Sequence, residues 1–300
     1  MTAPPAPTAL FEPRLHRQRK RRARADFAES AFLHARVVAD LADRLEAIPR
    51  RFSRVLALGG GGFFSTEVRA RPDLGQRIGE IVEADVASGD IEVDLERLPF
   101  ADSVFDLVVS PLALHWANDL PGTLIQIRRT LKPDGLLLAS LFGGDTLNEL
   151  RLCLIQAEFE ITGGAGPRVA PFAGLQDVAG LLQRAEYALP AADRDVVTVH
   201  YGEPMRLLFD LRAMGETSAL AQRSQRALSQ RILARTFAIY RERFSDDDNR
   251  IRATFEILTL TGWAPHESQQ KPLKPGSAKT RLADALGVIE HSTGEKPDSG

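Results

Sequence analysis

Apolar residues Phe27, Phe32, Leu33, Val37, Val38, Leu41 and Leu45 recur at intervals that keep them near one face, the pattern of an amphipathic helix with a buried stripe. From residue 53 the pattern changes to short apolar runs separated by helical stretches. The runs 55–58, 79–84, 105–110 and 136–141 read as strands, and 67–77 and 120–131 as helices, the second closed by the turn-forming Lys132-Pro133-Asp134-Gly135. Strands alternating with helices predict an α/β protein with a mostly parallel, Rossmann-like sheet, whose ligand sits beyond the carboxyl ends of the strands. Residues 196–199 alternate as a further strand, 204–244 are helical and 254–260 form the last strand. This pair fits an antiparallel closing hairpin with a helical lid inserted between its strands. The predicted organisation is a basic and helical segment 1–50, a core 51–203, a lid 204–250, a final strand and C-terminal motif 251–278, and a flexible tail 279–300.

The first strand runs into Leu58-Gly59-Gly60-Gly61-Gly62-Phe63-Phe64. Consecutive glycines after a strand and before a helix let the backbone turn sharply and let a ligand approach closely. Phe64 stands where a dinucleotide fingerprint requires its third glycine, and no Gly-Lys-Ser/Thr follows to make a phosphate-binding P-loop. The remaining choice is a nucleoside ligand without a pyrophosphate, a description that S-adenosylmethionine fits. Asp85 closes the second strand, where such folds place an acid for a ribose diol, with Glu83 as its competitor. Asp94, just ahead of the third strand, is the candidate acceptor for an adenine amino group.

Composition narrows the class. The chain has 300 residues, a net charge of −2 and one cysteine, Cys153, which excludes an internal disulfide and a cysteine-rich zinc or iron–sulfur site. The longest apolar stretches fall far short of the ~20 residues of a membrane-spanning helix. Near-neutrality hides one asymmetry: residues 14–24 carry Arg14, Arg17, Arg19, Lys20, Arg21, Arg22 and Arg24 and no acid. We read this segment as a charged lead-in to a packed helix rather than a nucleic-acid site, with contact to an anionic membrane face as a secondary role.

Several motifs carry a resemblance. The segment from Asp94 through Leu98-Pro99-Phe100-Ala101-Asp102 to Ser110 resembles the third and fourth motifs of class I S-adenosylmethionine-dependent methyltransferases, and 131–135 the turn before their fifth strand. Narrower matches are the segments 114–122, with Leu114-His115-Trp116-Ala117-Asn118-Asp119, 142–151, with Phe142-Gly143-Gly144-Asp145-Thr146, 211–217, Leu211-Arg212-Ala213-Met214-Gly215-Glu216-Thr217, and 261–276, with Thr261-Gly262-Trp263-Ala264-Pro265-His266. Together they resemble the complex I assembly factor 5 family, the BioC-like methyltransferases of alphaproteobacteria and mitochondria, over roughly residues 10–278. The resemblance implies the seven-stranded methyltransferase fold, S-adenosylmethionine as cofactor, a complex I subunit as partner, and either methylation or arginine hydroxylation. It also implies a cofactor site of Gly59, Gly60, Gly61, Asp85, Asp94, Leu95, Ser110 and Trp116, with a departure. Ala57 stands where the superfamily has an acid orienting the loop.

His115 follows the fourth strand, where superfamily members place substrate-facing groups, and is the candidate catalytic residue; Trp116 is read as a wall of the cofactor pocket. The six histidines are too scattered to propose a metal site. Two alternatives stand beside an enzyme acting on a protein partner. One is O-methylation of a small acyl thioester acid, which predicts a ligand-sized pocket under the lid. The other is a non-catalytic assembly chaperone with a degenerate cofactor site. With only about nine residues ahead of the first helix, the expected location is the bacterial cytoplasm, at or near the inner membrane.

Overall fold

The computed structural model describes residues 9–224 and 227–270. Three N-terminal helices, α1 (Pro13–Ala23), α2 (Phe27–Ser30) and α3 (Phe32–Glu46), lead into β1 (Phe52–Leu58). There follow α4 (Phe63–Ala70), α5 (Pro72–Gly75), β2 (Ile78–Asp85), β3 (Ile91–Glu92) and β4 (Phe105–Pro111). After a single 3-10 turn (Leu114–Trp116) come α6 (Leu120–Thr130), β5 (Leu131–Phe142), α7 (Asn148–Thr162), α8 (Leu175–Arg184) and β6 (Ala188–Tyr201). Helices α9 (Pro204–Ala213) and α10 (Gln230–Phe244) precede β7 (Ile251–Trp263).

The strands form one seven-stranded sheet in the order β3-β2-β1-β4-β5-β7-β6. All pair in parallel except β7, which runs antiparallel to β5 and β6. Chain order reverses between β1 and β4, so the carboxyl ends of these two strands open the crevice in which such sheets bind ligands. Each face of the sheet is covered by an apolar layer. One gathers α3, α4, α7 and α10 over residues such as Val55, Leu107 and Leu138, and the other gathers α6 and α8 over Leu56, Val108 and Leu137. Alternate residues of one strand thus feed opposite layers, as the pleat requires. Prolines open α1, α5, α6 and α9, where a missing N–H costs nothing. Asp119 caps α6 by accepting from the Gly122 N–H at 2.8 Å.

Some expected elements differ. The single helix expected through Phe27 and Leu45 is broken into α2 and α3, because Phe27 turns to meet Phe63 and His34 edge-on at 5.7 and 4.9 Å and so leaves the stripe that α3 buries. The helix expected over 67–77 starts at Phe63 and stops at Ala70; Pro72 lacks the N–H needed to continue it and instead starts α5. Residues 132–135 belong to β5 itself, with Asp134 at φ +62° and a register shift opposite Phe105 and Leu107. Within the stretch expected to be a lid, α9 packs against α1 and α2 at the cleft edge, whereas α10 packs on α7 and β7 with Tyr240 fully buried. The tail expected over 279–300, and residues 271–278 of the expected C-terminal motif, lie outside the described residues.

Candidate cofactor cleft and its adjoining cavity

Four consecutive positive φ values, +86°, +79°, +59° and +85°, carry Gly59 to Gly62 from β1 into α4. The neighbours that make side chains intolerable here belong to the protein itself. A Cβ on Gly60 would lie 2.4 Å from Pro111 Cγ, and one on Gly61 would lie 2.5 Å from the Phe27 ring. Ala57, in place of the usual acid, is fully buried in the same apolar layer as Phe64.

Beyond the loop, Gly59, Gly60, Asp85, Leu95 and Trp116 line one cleft at the β1/β4 switch, together with Leu112 and Ala113. Its remaining wall comes from Val86 after β2 and from His16 and Lys20 of α1. The imidazole of His16 stacks on the Trp116 indole with centroids 4.4 Å apart. With α1 seated, about 10 Å³ of free space remains in the cleft. A second cavity of about 330 Å³ lies on the other side of Lys20, Gly60 and Asp85, lined also by Phe27, Gly61, Gly62 and Glu83. Asp85 borders both spaces. Burial pushes its carboxyl pKa up, opposed by Lys20 and by the backbone N–H groups of Ala87, Val86 and Gly61. Glu83, its competitor in the sequence, lines the larger space but not the cleft and accepts a hydrogen bond from the Ser65 hydroxyl.

Three expected cofactor residues stand apart from this cleft. Gly61 lines the adjoining 330 Å³ cavity instead. Asp94 is exposed and does not line the cleft; its Oδ1 accepts from the Glu96 N–H at 3.0 Å in a local turn, which leaves Leu95 as the cleft wall. Ser110 is fully buried and its hydroxyl donates to the Leu58 carbonyl at 2.9 Å, tying β4 to β1.

The group that sequence reasoning did not single out is Glu216, in the loop after α9. Its side chain is 3% exposed. Oε1 accepts from Lys20 Nζ at 2.7 Å, and Oε2 accepts from Trp116 Nε1 at 3.0 Å and from His115 Nε2 at 3.1 Å. Burial alone would raise the Glu216 pKa, but Lys20 and His115 outweigh it and hold the carboxyl well below its usual range. The preceding Gly215, at φ +74°, sits so close to α1 that a Cβ would lie 2.8 Å from the Lys20 side chain. Because a carboxylate only accepts, His115 Nε2 carries the proton, and Nδ1 keeps its lone pair. That Nδ1 is buried with no hydrogen-bond partner. Burial lowers the His115 pKa despite Glu216, so the ring is neutral at neutral pH. The imidazole lies among Phe142, Trp116 and Phe172, at centroid distances of 4.8, 5.5 and 5.5 Å.

Trp116 and Glu216 also border a cavity of about 510 Å³ under α9, walled by Leu147, Leu150, Leu154, Phe172, Leu208 and Leu211. The indole therefore separates the cleft from an apolar chamber. Among the described residues, no three His, Cys, Asp or Glu side chains are grouped to hold a metal ion. No helix among them is long and apolar enough to cross a membrane.

A methyltransferase domain family matches residues 72–139. A Bacillus halodurans crystal structure of a candidate methyltransferase superposes with a TM-score of 0.50 at 15% identity, covering 76% of this chain and 99% of that one, and shows the shared fold. The human mitochondrial protein named arginine-hydroxylase NDUFAF5 is 38% identical over 273 residues, 87% of this chain and 77% of its own length. The chain belongs to the complex I assembly factor 5 family. It is also 31% identical to a malonyl-[acyl-carrier protein] O-methyltransferase of Halorhodospira halophila, over 84% of this chain and 88% of that protein. This member of the family is thus an enzyme of the S-adenosylmethionine-dependent methyltransferase superfamily, with S-adenosylmethionine as its cofactor. The donor set of the cleft fits that group: a carboxylate at the end of β2, a glycine loop, and the apolar side of Leu95. The room at the Leu95 and Trp116 end does not, while α1 is seated, although the adjoining 330 Å³ cavity over Gly60, Gly61 and Asp85 is within the range of ligand pockets, about 300–1,000 Å³.

Proposed function

We propose that this enzyme modifies a protein partner during the assembly of respiratory complex I, at the membrane face where that complex is built. The relative named arginine-hydroxylase supports the partner class, and the observation that carries the chemistry is the position of Trp116 between the cofactor cleft and the 510 Å³ chamber. S-adenosylmethionine, when bound, supplies an electrophilic methyl group. In this reading Asp85 accepts hydrogen bonds from the ribose diol, Gly59 and Gly60 let the ligand lie against the backbone, and Leu95 and Trp116 exclude water. Glu216 fixes the tautomer of His115, which leaves its Nδ1 as a buried proton acceptor without a hydrogen-bond partner. Asp94 and Ser110 act on the cleft indirectly, one by turning Leu95 inward and the other by joining β4 to β1.

The size of the chamber favours a second reading, O-methylation of a small acyl thioester acid, as in the relative named malonyl-[acyl-carrier protein] O-methyltransferase. Mass spectrometry of complex I subunits from a deletion strain, paired with transfer of isotopically labelled methyl to purified subunits and to a malonyl thioester, separates the two. A subunit residue that loses a methyl group or an oxygen atom in the deletion strain supports the first reading. Unmodified subunits with a labelled thioester support the second. Absence of both, with no cofactor binding, supports the chaperone.

A further inference from the structure

The basic segment of α1 divides into two sets. Arg17 donates to the Val86 carbonyl at 3.0 Å, Lys20 pairs with Glu216 at 2.7 Å and Arg21 with Glu92 at 2.8 Å, and these contacts hold α1 on the sheet edge. Arg19 and Arg22 turn the other way, towards Arg212 of α9 and Arg223 beyond it. Arg19 and Arg212 border both the 510 Å³ chamber and a 660 Å³ opening next to it; Arg22 borders the opening and Arg223 the chamber. The other three guanidiniums act on Arg19: partial burial lowers its pKa, Arg223 and Arg22 lower it further and Arg212 less so, against a pull from Glu12.

Of the nearby acids, Glu12 already pairs with Arg223 of the cluster at 2.8 Å, whereas Glu158 is held by Arg168 at 2.5 Å, Asp210 by Arg206 at 3.1 Å, and Glu216 by Lys20. Asp26 and Glu29 line only the outer opening. Among the described residues, no hydrogen bond or ion pair joins Arg19, Arg22 or Arg212 to an acid. Like charges crowded around the partly buried Arg19 cost stability unless an anion joins them. Guanidiniums present forked donors that match the oxygens of a carboxylate or phosphate.

We propose that Arg19 and Arg212, supported by Arg223, form an anion-binding mouth to the apolar chamber, taking a carboxylate or phosphate carried on an apolar chain that lies against Leu150, Leu154 and Phe172. This rests on the reading that the chamber receives the group to be modified. The anion comes either from a free small acid or from an acidic residue next to apolar ones in a protein partner. The arrangement is a specificity device: Arg19 and Arg212 select the ligand's charge without touching the cofactor cleft.

Titration calorimetry on the full chain, without cofactor, tests it with octanoate, octyl phosphate and octanol as probes. The expected result is that at least one anionic probe binds tenfold or more tightly than octanol. The double variant Arg19→Gln/Arg212→Gln should remove that difference while leaving octanol binding unchanged. Relieving like-charge crowding should leave its melting temperature no lower than that of the wild type; if it falls, the single exposed Arg212→Gln carries the test. An acetylated leucine-rich heptapeptide containing one glutamate, compared with its glutamine counterpart, distinguishes the sources. Tighter binding of the glutamate peptide than of octanoate assigns the anion to a protein partner, and the reverse assigns it to a free acid. Equal binding of octanol and both anions, or a charge preference that survives in the variants, overturns the proposal. No methyl transfer enters the assay, so its failure is separate from failure of the proposed function.

Discussion

Glu216 and Trp116 are joined by a buried hydrogen bond of 3.0 Å from the indole N–H to Oε2. The residues are 100 positions apart, and the bond ties the loop after α9 to the turn after β4. Since Glu216 also accepts from Lys20 and His115, one carboxylate joins α1, the lid loop and the sheet edge around the cleft.

Removing this carboxylate is therefore expected to be costly. Glu216→Gln leaves the Lys20 ammonium buried without its counter-charge, and breaking such a pair costs about 3–5 kcal/mol. Urea unfolding should show the loss, and Lys20→Met in the same chain should recover a large part of it. A double variant no more stable than Glu216→Gln alone would mean that the lysine is not what makes the single change costly.

The cleft should also loosen in acid. His34 is fully buried, and its pKa is lowered to about 3, as is that of the buried His16, chiefly by burial in both cases. Each is neutral in the fold but takes a proton near its ordinary value of about 6.5 when unfolded, so stability falls as pH drops from there towards 3. At pH 5 the linkage is roughly (6.5 − 5) × 1.36, about 2 kcal/mol per histidine. Glu216 acts in the same direction, since its depressed pKa gives stability above the usual carboxylate range that is lost as pH falls through the lowered value. Both His34 ring nitrogens lack hydrogen-bond partners, so His34→Leu should raise the urea midpoint and flatten its pH dependence between 7 and 5. A steeper dependence in the variant would contradict this.

Seating of the cofactor against Leu95 and Trp116 should require α1 to move, because about 10 Å³ of cleft remains there while His16 and Lys20 line it. Hydrogen exchange of residues 13–23 is expected to be faster than that of β1 and β4 in the free protein and to slow on addition of S-adenosylhomocysteine. Exchange over α1 as slow as in the central strands, unchanged by ligand, would leave no route to Leu95 and Trp116.

The two candidate acids should differ. Asp85 lines the cleft and Asp94 does not. Asp85→Asn should therefore weaken S-adenosylhomocysteine binding by about 1–3 kcal/mol, with Asp94→Ala costing less, about 0.5–1.5 kcal/mol. The opposite order in a competition assay would move the ribose acid elsewhere.

The parallel sheet, the glycine loop and the acid at the end of β2 were readable because each leaves a local signature: apolar runs of strand length, backbone that only glycine adopts, and an acid at a fixed distance. Long-range partners leave none. Lys20 looked like one cation among seven, and Glu216 is an unremarkable acid after a helix; only folding brings them to 2.7 Å. Gly215 was the available clue, since a glycine before an acid in a lid loop marks close backbone approach. The break at Phe27 escaped for a related reason. Its ring is used on Phe63 and His34, a tertiary choice that helical periodicity does not record. Ser110 illustrates the converse, a hydroxyl in a cofactor motif that is spent on the Leu58 carbonyl.

The central claim is that S-adenosylmethionine occupies the cleft at the β1/β4 switch, with Asp85 as its anchor. Isothermal titration of the full chain with S-adenosylmethionine, beside Asp85→Asn, tests this most directly. The account predicts saturable one-site binding that weakens at least fivefold, about 1 kcal/mol, in a folded variant. No detectable binding at millimolar ligand, or equal affinity in the two proteins, would contradict it.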